Sequence, residues 1–503
     1  MEYKKSIIII WEKKGWCYKL AEAQNNVRIL HRKEWQTMSP ADTVTAAAAF
    51  VVNDNQNESR FAMYVLSATV HYLYDHEEDA WLPIASGAFS PAITAGACGT
   101  YSDWSPAYTA TGGSTTTITV ALNTHNLNSL VVGKYVEFLS GTAANLGLRR
   151  QITAIKTSGV AGSTITLTIA AAAATVVNTD TFRINSGSYF IFTSGVLASS
   201  FKRFDLATMS WGSFLSISGV AATFGTDGRM VTTGIYDATY DSGTASAGGA
   251  TTLTDSTKAW ATDQWISYQV RITGGTGIGQ IRPITDSTGT VLTVAAWSTQ
   301  PDATSTYVIE GDENAIYLLG NNAVTLYKYS ISANTWSTVS PTAARGGNAV
   351  AGLSADFIGV TGDAGWADIT NIKNGKYIYS FRGATSVLDR LNLNGGTAGV
   401  PTWETVTYQP SLQTWATGSG TDWNSGTQYI YIAKEGTAAI PQRFYKFDVV
   451  GNTVIPVASD WYLGGAALLG NKIWIRSLSD TNLVKWLYCL QSTSTNLRRI
   501  MIY

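Results

Sequence analysis

Charge is scarce in this chain. Only 14% of its 503 residues are charged, and the two signs nearly cancel to a formal net charge of −1. With no basic stripe to grip a phosphate backbone, electrostatic binding of nucleic acid is excluded, and no sequence-specific reader is in view. Cysteine is scarcer still. Cys17, Cys98 and Cys489 are too few and too scattered for a disulfide framework or a zinc site, no CxxC pair occurs, and reduced structural thiols are expected. Imidazoles are limited to His31, His71, His76 and His125. His71 and His76 would lie on opposite faces of a strand, which disfavours a shared metal. Long apolar runs are missing too. The Ile7-Ile8-Ile9-Ile10-Trp11 stretch is cut off by Glu12-Lys13-Lys14 and reads as a strand rather than a secretory signal, and no other run reaches the ~18 residues needed to span a bilayer. A soluble chain without membrane insertion is expected.

What the chain has in quantity is Gly (47), Trp (17) and Tyr (25), with long Thr/Ser tracts. That mixture suits strands and tight turns, so the fold class is all-β. A pattern recurs: an apolar strand, a turn, a second strand ending in an aromatic or Asp, and a Trp about six residues on. Its best copies are His71-Tyr72-Leu73-Tyr74-Asp75 with Trp81, Phe201-Lys202-Arg203-Phe204-Asp205 with Trp211, and Leu326-Tyr327-Lys328-Tyr329-Ser330 with Trp336. Weaker copies run from Tyr377 to Trp403, from Tyr429 to Ile455 and from Ile473 to Leu497. Alternation puts Tyr72/Tyr74 and Tyr327/Tyr329 on one strand face, and the Trp returns to that face after the turn. Such a unit buries its surface only against a neighbour, as a propeller blade does.

Trp81, Trp211 and Trp336 are 130 and 125 residues apart, against 52 from Trp403 to Ile455. Two segments, 105–184 and 238–310, account for the excess and resemble each other. Gly112-Gly113 through Thr119 matches Gly248-Gly249 through Thr254, Tyr135 to Phe138 matches Gln269 to Ile272, Gly147 to Ile152 matches Gly279 to Ile284, and Thr181 to Ile184 matches Thr306 to Ile309. Without them the spacing falls to 50 and 52 residues, a kelch-type period. The expected organisation is a strand-rich N-terminal arm at 1–44, a first blade at 45–104, an inserted β module at 105–184, a second blade at 185–237, a second module at 238–310, and the remaining blades at 311–503.

The long-period units resemble kelch-type β-propeller blades, which implies a propeller of about six blades with two small inserted β domains. Trp260-Ala261-Thr262-Asp263-Gln264-Trp265, followed by Val270 to Arg282, is similar to small β modules recurrent in virion proteins of tailed bacteriophages. That resemblance implies a structural component of the tail, neck or head surface, located in the virion and assembled in the host cytoplasm. Its implied partners are other virion proteins and copies of itself.

Catalytic chemistry is hard to find. A kelch-type copper oxidase needs several His and Tyr ligands with a Cys, and the thiols here have no visible His partners. The oxygen-rich stretches His76-Glu77-Glu78-Asp79 and Asn53 to Glu58 lack the ligand spacing of a calcium loop and read as solvated turns. A sialidase-type Asp box is only approached at Ser479-Asp480-Thr481 with Trp486. No catalytic residue, metal or cofactor is therefore assigned, and the chain is read as a non-enzyme. A propeller carbohydrate-cleaving enzyme ranks third, because no carboxylate pair can be named. The second-ranked reading is a host-attachment adhesin binding a surface glycan. Trp366, Trp415 and Trp423 could stack on sugar rings or pack between blades, as large aromatics usually do, and the Gly/Ser/Thr loop Thr417 to Thr427 makes Trp415 and Trp423 the contact residues of this reading.

Overall fold

A computed structural model describes residues 71–84, 98–121, 127–158, 164–192, 200–220, 229–232, 239–311, 315–319, 324–346, 377–393, 400–409, 428–434 and 443–457, apart from Glu77, Asn128, Ser267 and 383–385. It also places strands Ile7–Trp11, Cys17–Ala21, Val27–Arg28, Gln36–Thr37, Phe50–Val52, Phe61–Val65, Phe357–Val360, Gly420–Trp423, Lys472–Ser477, Lys485–Leu490 and Leu497–Ile502. Among the described residues there are strands and short 3-10 turns but no α-helix.

Six four-stranded antiparallel sheets form a propeller. From the innermost strand outward, blade 1 is 50–52, 61–65, 71–75 and 80–84, and blade 2 is 98–102, 188–192, 201–205 and 210–214. Blade 3 is 229–232, 315–319, 326–330 and 335–339, and blade 4 is 357–360, 377–381, 388–392 and 402–406. Blade 5 is 420–423, 429–434, 443–448 and 453–456. Blade 6 takes 472–477, 485–490 and 497–502 from the C-terminal side and Gln36–Thr37 from the N-terminal side. The six innermost strands lie side by side in chain order, and the sixth returns to the first.

The ring is closed by a strand from the segment placed in the arm. Gln36 pairs with Arg499 and Thr37 with Arg498, so the propeller begins before residue 45. Three other strands of the arm, Ile7–Trp11, Cys17–Ala21 and Val27–Arg28, form a sheet of their own.

The recurring sequence pattern is the outer hairpin of blades 1 to 5, whereas in blade 6 the copy from Ile473 to Leu497 spans the first three strands. In blades 1, 2 and 5 an Asp closes the third strand, and its carboxylate accepts from the turn: Asp205 Oδ1 from Ala207 N–H at 2.9 Å, Asp448 Oδ1 from Val450 N–H at 2.9 Å. Four residues after that position the backbone turns left-handed, at Asp79, Met209, Asn334 and Asn452. The outer strand then brings its Trp opposite a large apolar residue of the third: Tyr74 faces Trp81, Phe204 faces Trp211, Tyr329 faces Trp336 and Leu391 faces Trp403. In blade 5 the position belongs to Val454, opposite Phe447, rather than to Ile455, which is only half-buried. Among the described residues each core cluster of the propeller joins two blades, as where Phe190, Phe192 and Phe201 of blade 2 meet Tyr329 and Trp336 of blade 3.

Both insertions fall within a blade, after its innermost strand, rather than in the connection between blades. The repeat was phased on the aromatic strands, and inner strands such as Cys98–Ser102 and Arg229–Thr232 carry little of that signal. Each insertion is a small closed barrel. In barrel 1, Tyr108–Thr109 pairs with Thr181–Ile184 while Gly112–Gly113, just beyond, pairs with Thr117–Ala121. The remaining pairings run through 164–169, 149–158 and 135–140 back to 181–184, so the segment 108–113 joins the two ends of the sheet. Barrel 2 repeats this order: Thr239–Thr244 pairs with Thr306–Gly311, Ala247–Gly248 with Thr252–Thr254, and the sheet continues through 291–294, 281–287 and 268–274. Equivalent residues fill the two cores, with Val136, Phe138, Ile152, Phe182 and Ile184 matching Val270, Ile272, Ile284, Tyr307 and Ile309. One correspondence shifts by a residue. Gly113 faces Ile118 as Gly248 faces Leu253, so the glycine doublets are offset by one.

Candidate functional site

Rotation about the ring axis relates successive blades, so the turn after the innermost strand opens on the same face in every blade. Barrels 1 and 2 replace that turn in adjacent blades and stand side by side. Barrel 1 is tied down at its root. The Tyr108 hydroxyl donates to Asp205, the turn carboxylate of blade 2. Ser188 Oγ donates to the Trp104 carbonyl at 2.7 Å, and Arg203 Nε donates to Ser188 Oγ at 2.8 Å. Burial pulls the Arg203 guanidinium down to about 10, opposed by the charge of Asp205. Burial first, and then Asp205, push the Tyr108 hydroxyl well above its usual range.

The barrels meet at a buried cluster of charges. Glu137 of barrel 1 accepts from Arg149 Nε and Arg183 Nη2, each at 2.8 Å. Glu310 of barrel 2, fully buried, accepts from Arg271 Nη2 at 2.5 Å and from Gln269 Nε2 at 3.2 Å. Arg149 spans the junction, its Nη1 lying 3.3 Å from Glu310 Oε1. Beneath the cluster lies the buried indole of Trp104, with the Arg183 and Arg149 guanidinium carbons 4.1 and 5.1 Å from its centroid. Burial alone would raise the Glu137 carboxyl, but Arg183 and Arg149 overcome it and hold it below the ordinary value. Both carboxylates are thus met by guanidinium groups, an arrangement that fixes two bodies against each other.

The backbone approach at the junction is close. Gly147 and Gly279 have φ of +74° and +88°, and a Cβ on Gly147 would collide with the Gly279 carbonyl oxygen, as one on Gly279 would with Leu148. Glycine is required on both sides.

The residues singled out from the sequence lie elsewhere. Trp423 ends the innermost strand of blade 5, its backbone paired with Ile430, whereas Trp415, Trp366, His31, His125 and Asn53 to Glu58 lie outside the described residues. His71 pairs with Val65 and Ile84. His76 departs from the solvated turn expected of it: it is 3% exposed, its ring edge-on to Tyr74 at 5.0 Å. Here the turn folds back onto the aromatic face. Cys98 is buried. Among the described residues no group of three His, Cys, Asp or Glu is placed to hold a metal ion, and no helix is long and apolar enough to cross a membrane.

Sequence reasoning missed Arg149, Arg183, Glu137, Arg271 and Glu310. A signal was present, because Glu137 and Arg271 occupy matching positions of the two copies with opposite charge.

Fold and site together define a class: a six-bladed β-propeller bearing two like barrels, docked on one another, on one of its faces. No family model and no curated protein matches the chain. Among solved structures it is similar to a chain of the mitotic checkpoint complex at 10% identity and a TM-score of 0.35, with 96% of each chain covered. It is similar to YCF48 from Cyanidioschyzon merolae at 9% identity and 0.31, with 93% of this chain and 98% of that one covered. An auxiliary nutrient binding protein from Bacteroides thetaiotaomicron follows at 12% and 0.25, covering 80% and 97%. Scores this low carry no argument, and the propeller assignment rests on the closed ring of sheets.

Proposed function

We propose that this chain is a structural protein of a tailed-bacteriophage virion, in the tail, neck or head surface, acting through fixed contacts rather than turnover. The observation that carries the reading is the pair of barrels on one face of the ring. Each is a closed sheet with its own core, and the two are locked to each other by buried charges. A rigid double projection of this kind suits contact with neighbouring subunits, including copies of itself. The phage-like sequence of barrel 2, from Trp260 to Arg282, supplies the context. Mass spectrometry of purified particles tests it: the chain is expected at a fixed copy number per particle, and its absence from particles refutes the proposal.

A glycan-binding adhesin is the second reading, favoured by the place of Trp423 at the end of an innermost strand. A glycan array with Trp423→Ala and Trp415→Ala as controls is expected to show sugar-dependent signal that the variants lose. No signal at high protein concentration removes this reading.

A further inference from the structure

The contact between the barrels is reciprocal. A Cβ on Gly147 would lie 3.1 Å from the Gln280 Cα, and one on Gly279 would lie 3.0 Å from the Leu148 Cα. Gly147-Leu148 and Gly279-Gln280 are equivalent dipeptides. In barrel 1, Gly147 N–H donates to the Phe138 carbonyl at 2.8 Å and Phe138 N–H to the Leu148 carbonyl at 3.2 Å. In barrel 2, Gly279 N–H donates to the Ile272 carbonyl at 2.7 Å and Ile272 N–H to the Gln280 carbonyl at 2.9 Å. Each turn therefore packs against its own counterpart. Rotation about the ring axis sets unlike surfaces of successive units together, whereas contact of like with like is the mark of a two-fold, self-complementary interface.

We propose that this Gly-X turn is a homotypic docking surface, whose partner is a second copy of the same turn, joined in cis within one chain and able to join in trans between chains. Both sides keep glycine where any side chain would block the approach, so the surface is shaped for itself. The ionic link selects the cis pair. Arg149 reaches Glu310 across the junction, while the matching positions, Ile281 and Asn185, bring no charges, so a pair of identical barrels lacks that bond. The wild-type chain therefore keeps its two turns on each other, and a turn robbed of its cis partner is left to find another chain.

Sedimentation analysis of the full-length protein tests this. Gly147→Val pushes a branched side chain into the Gly279 backbone and uncovers the barrel 2 turn, so its mass is expected to double relative to wild type as concentration rises. The double variant Gly147→Val with Gly279→Val has no intact turn and is expected to return to the wild-type mass. A single variant that keeps the wild-type mass throughout, or a double variant that associates as strongly as the single, overturns the proposal. Should Gly147→Val lose its β signature by circular dichroism, Arg149→Glu gives the reading instead, since it opposes Glu310 while leaving both glycines intact. It too is expected to double in mass, and unchanged mass overturns the inference. The result is independent of whether the chain is found in virus particles.

Discussion

Replacing Glu310 by Gln keeps the shape of the side chain but removes its charge, leaving Arg149 and Arg271 against a neutral amide in a site closed to water. Glu310 is 0% exposed and its two arginines 5% and 15%. Removing one partner of a buried ion pair costs about 3–5 kcal/mol, because the remaining charge stays desolvated. The lower end applies here, since Gln retains an acceptor oxygen and Arg149 keeps Glu137 at 2.8 Å. Arg149→Met strips the junction of its bridging cation but leaves each carboxylate an arginine, Arg183 on Glu137 and Arg271 on Glu310. Its cost is then that of a charged hydrogen bond or two, about 1.5–3 kcal/mol. Native-state hydrogen exchange followed by mass spectrometry reads the difference on peptides covering 268–274 and 306–311, with blade 5 as internal reference. With 1.36 kcal/mol per factor of ten, Glu310→Gln is expected to speed exchange there about a hundredfold, and Arg149→Met less. A change of under threefold for Glu310→Gln, or an equal effect of the two variants, refutes the account of the cluster as a desolvated unit centred on Glu310.

The Glu137 carboxyl is depressed in the folded chain, so its contribution is fully present above the unfolded value of about 4.3 and disappears as pH falls through the folded one. Exchange protection of 135–140 and 181–184 is expected to stay level from pH 7 to about 5.5, beyond the intrinsic rate change, and to drop below about pH 4; a loss centred near neutrality contradicts it. Trp336 packs 4.9 Å from Tyr329 and 5.3 Å from Phe201 of the next blade, and its Nε1 donates to the Ser216 carbonyl at 3.1 Å. Trp336→Ala is expected to cost about 3–5 kcal/mol in urea denaturation and Trp336→Phe less than half of that; under 1 kcal/mol for the alanine variant argues against the blade interface. Removing residues 1–40 takes away the outer strand of blade 6 and bares the edge of Leu497–Ile502, so faster exchange at 485–502 and greater self-association are expected. Wild-type exchange in that region refutes the N-terminal closure.

Legibility from sequence followed the range of each interaction. The outer hairpins could be read because every part of the signal is local: the Asp that caps the turn, the left-handed residue four positions later and the Trp facing the preceding strand lie within about seven residues. The inserted barrels could be read because duplication wrote the same strands twice and stretched the blade period by a measurable amount. The closure of the ring could not. Gln36–Thr37 is a two-residue strand without alternation, and its partner lies more than 450 residues away.

The charged junction was hidden for a different reason. In a single strand, Tyr135-Val136-Glu137-Phe138 offers Glu137 as the outward, solvated member of an alternation, and the same logic puts Arg271 and Arg149 outside their own barrels. That placement is right for each barrel taken alone, because all three side chains leave the barrel core. They become buried only when a second barrel and Trp104 cover them, so the cost of desolvation belongs to the pairing of modules and to no single strand pattern. The two copies nonetheless differ where such a pairing requires it. Position 137 is acidic and its counterpart 271 basic, while position 149 is basic and its counterpart 281 apolar. Two copies left identical at these positions would lack the Arg149–Glu310 bond across the junction, so divergence at these sites, against matching cores at Val136/Val270 and Ile184/Ile309, marks the surface on which the barrels face each other.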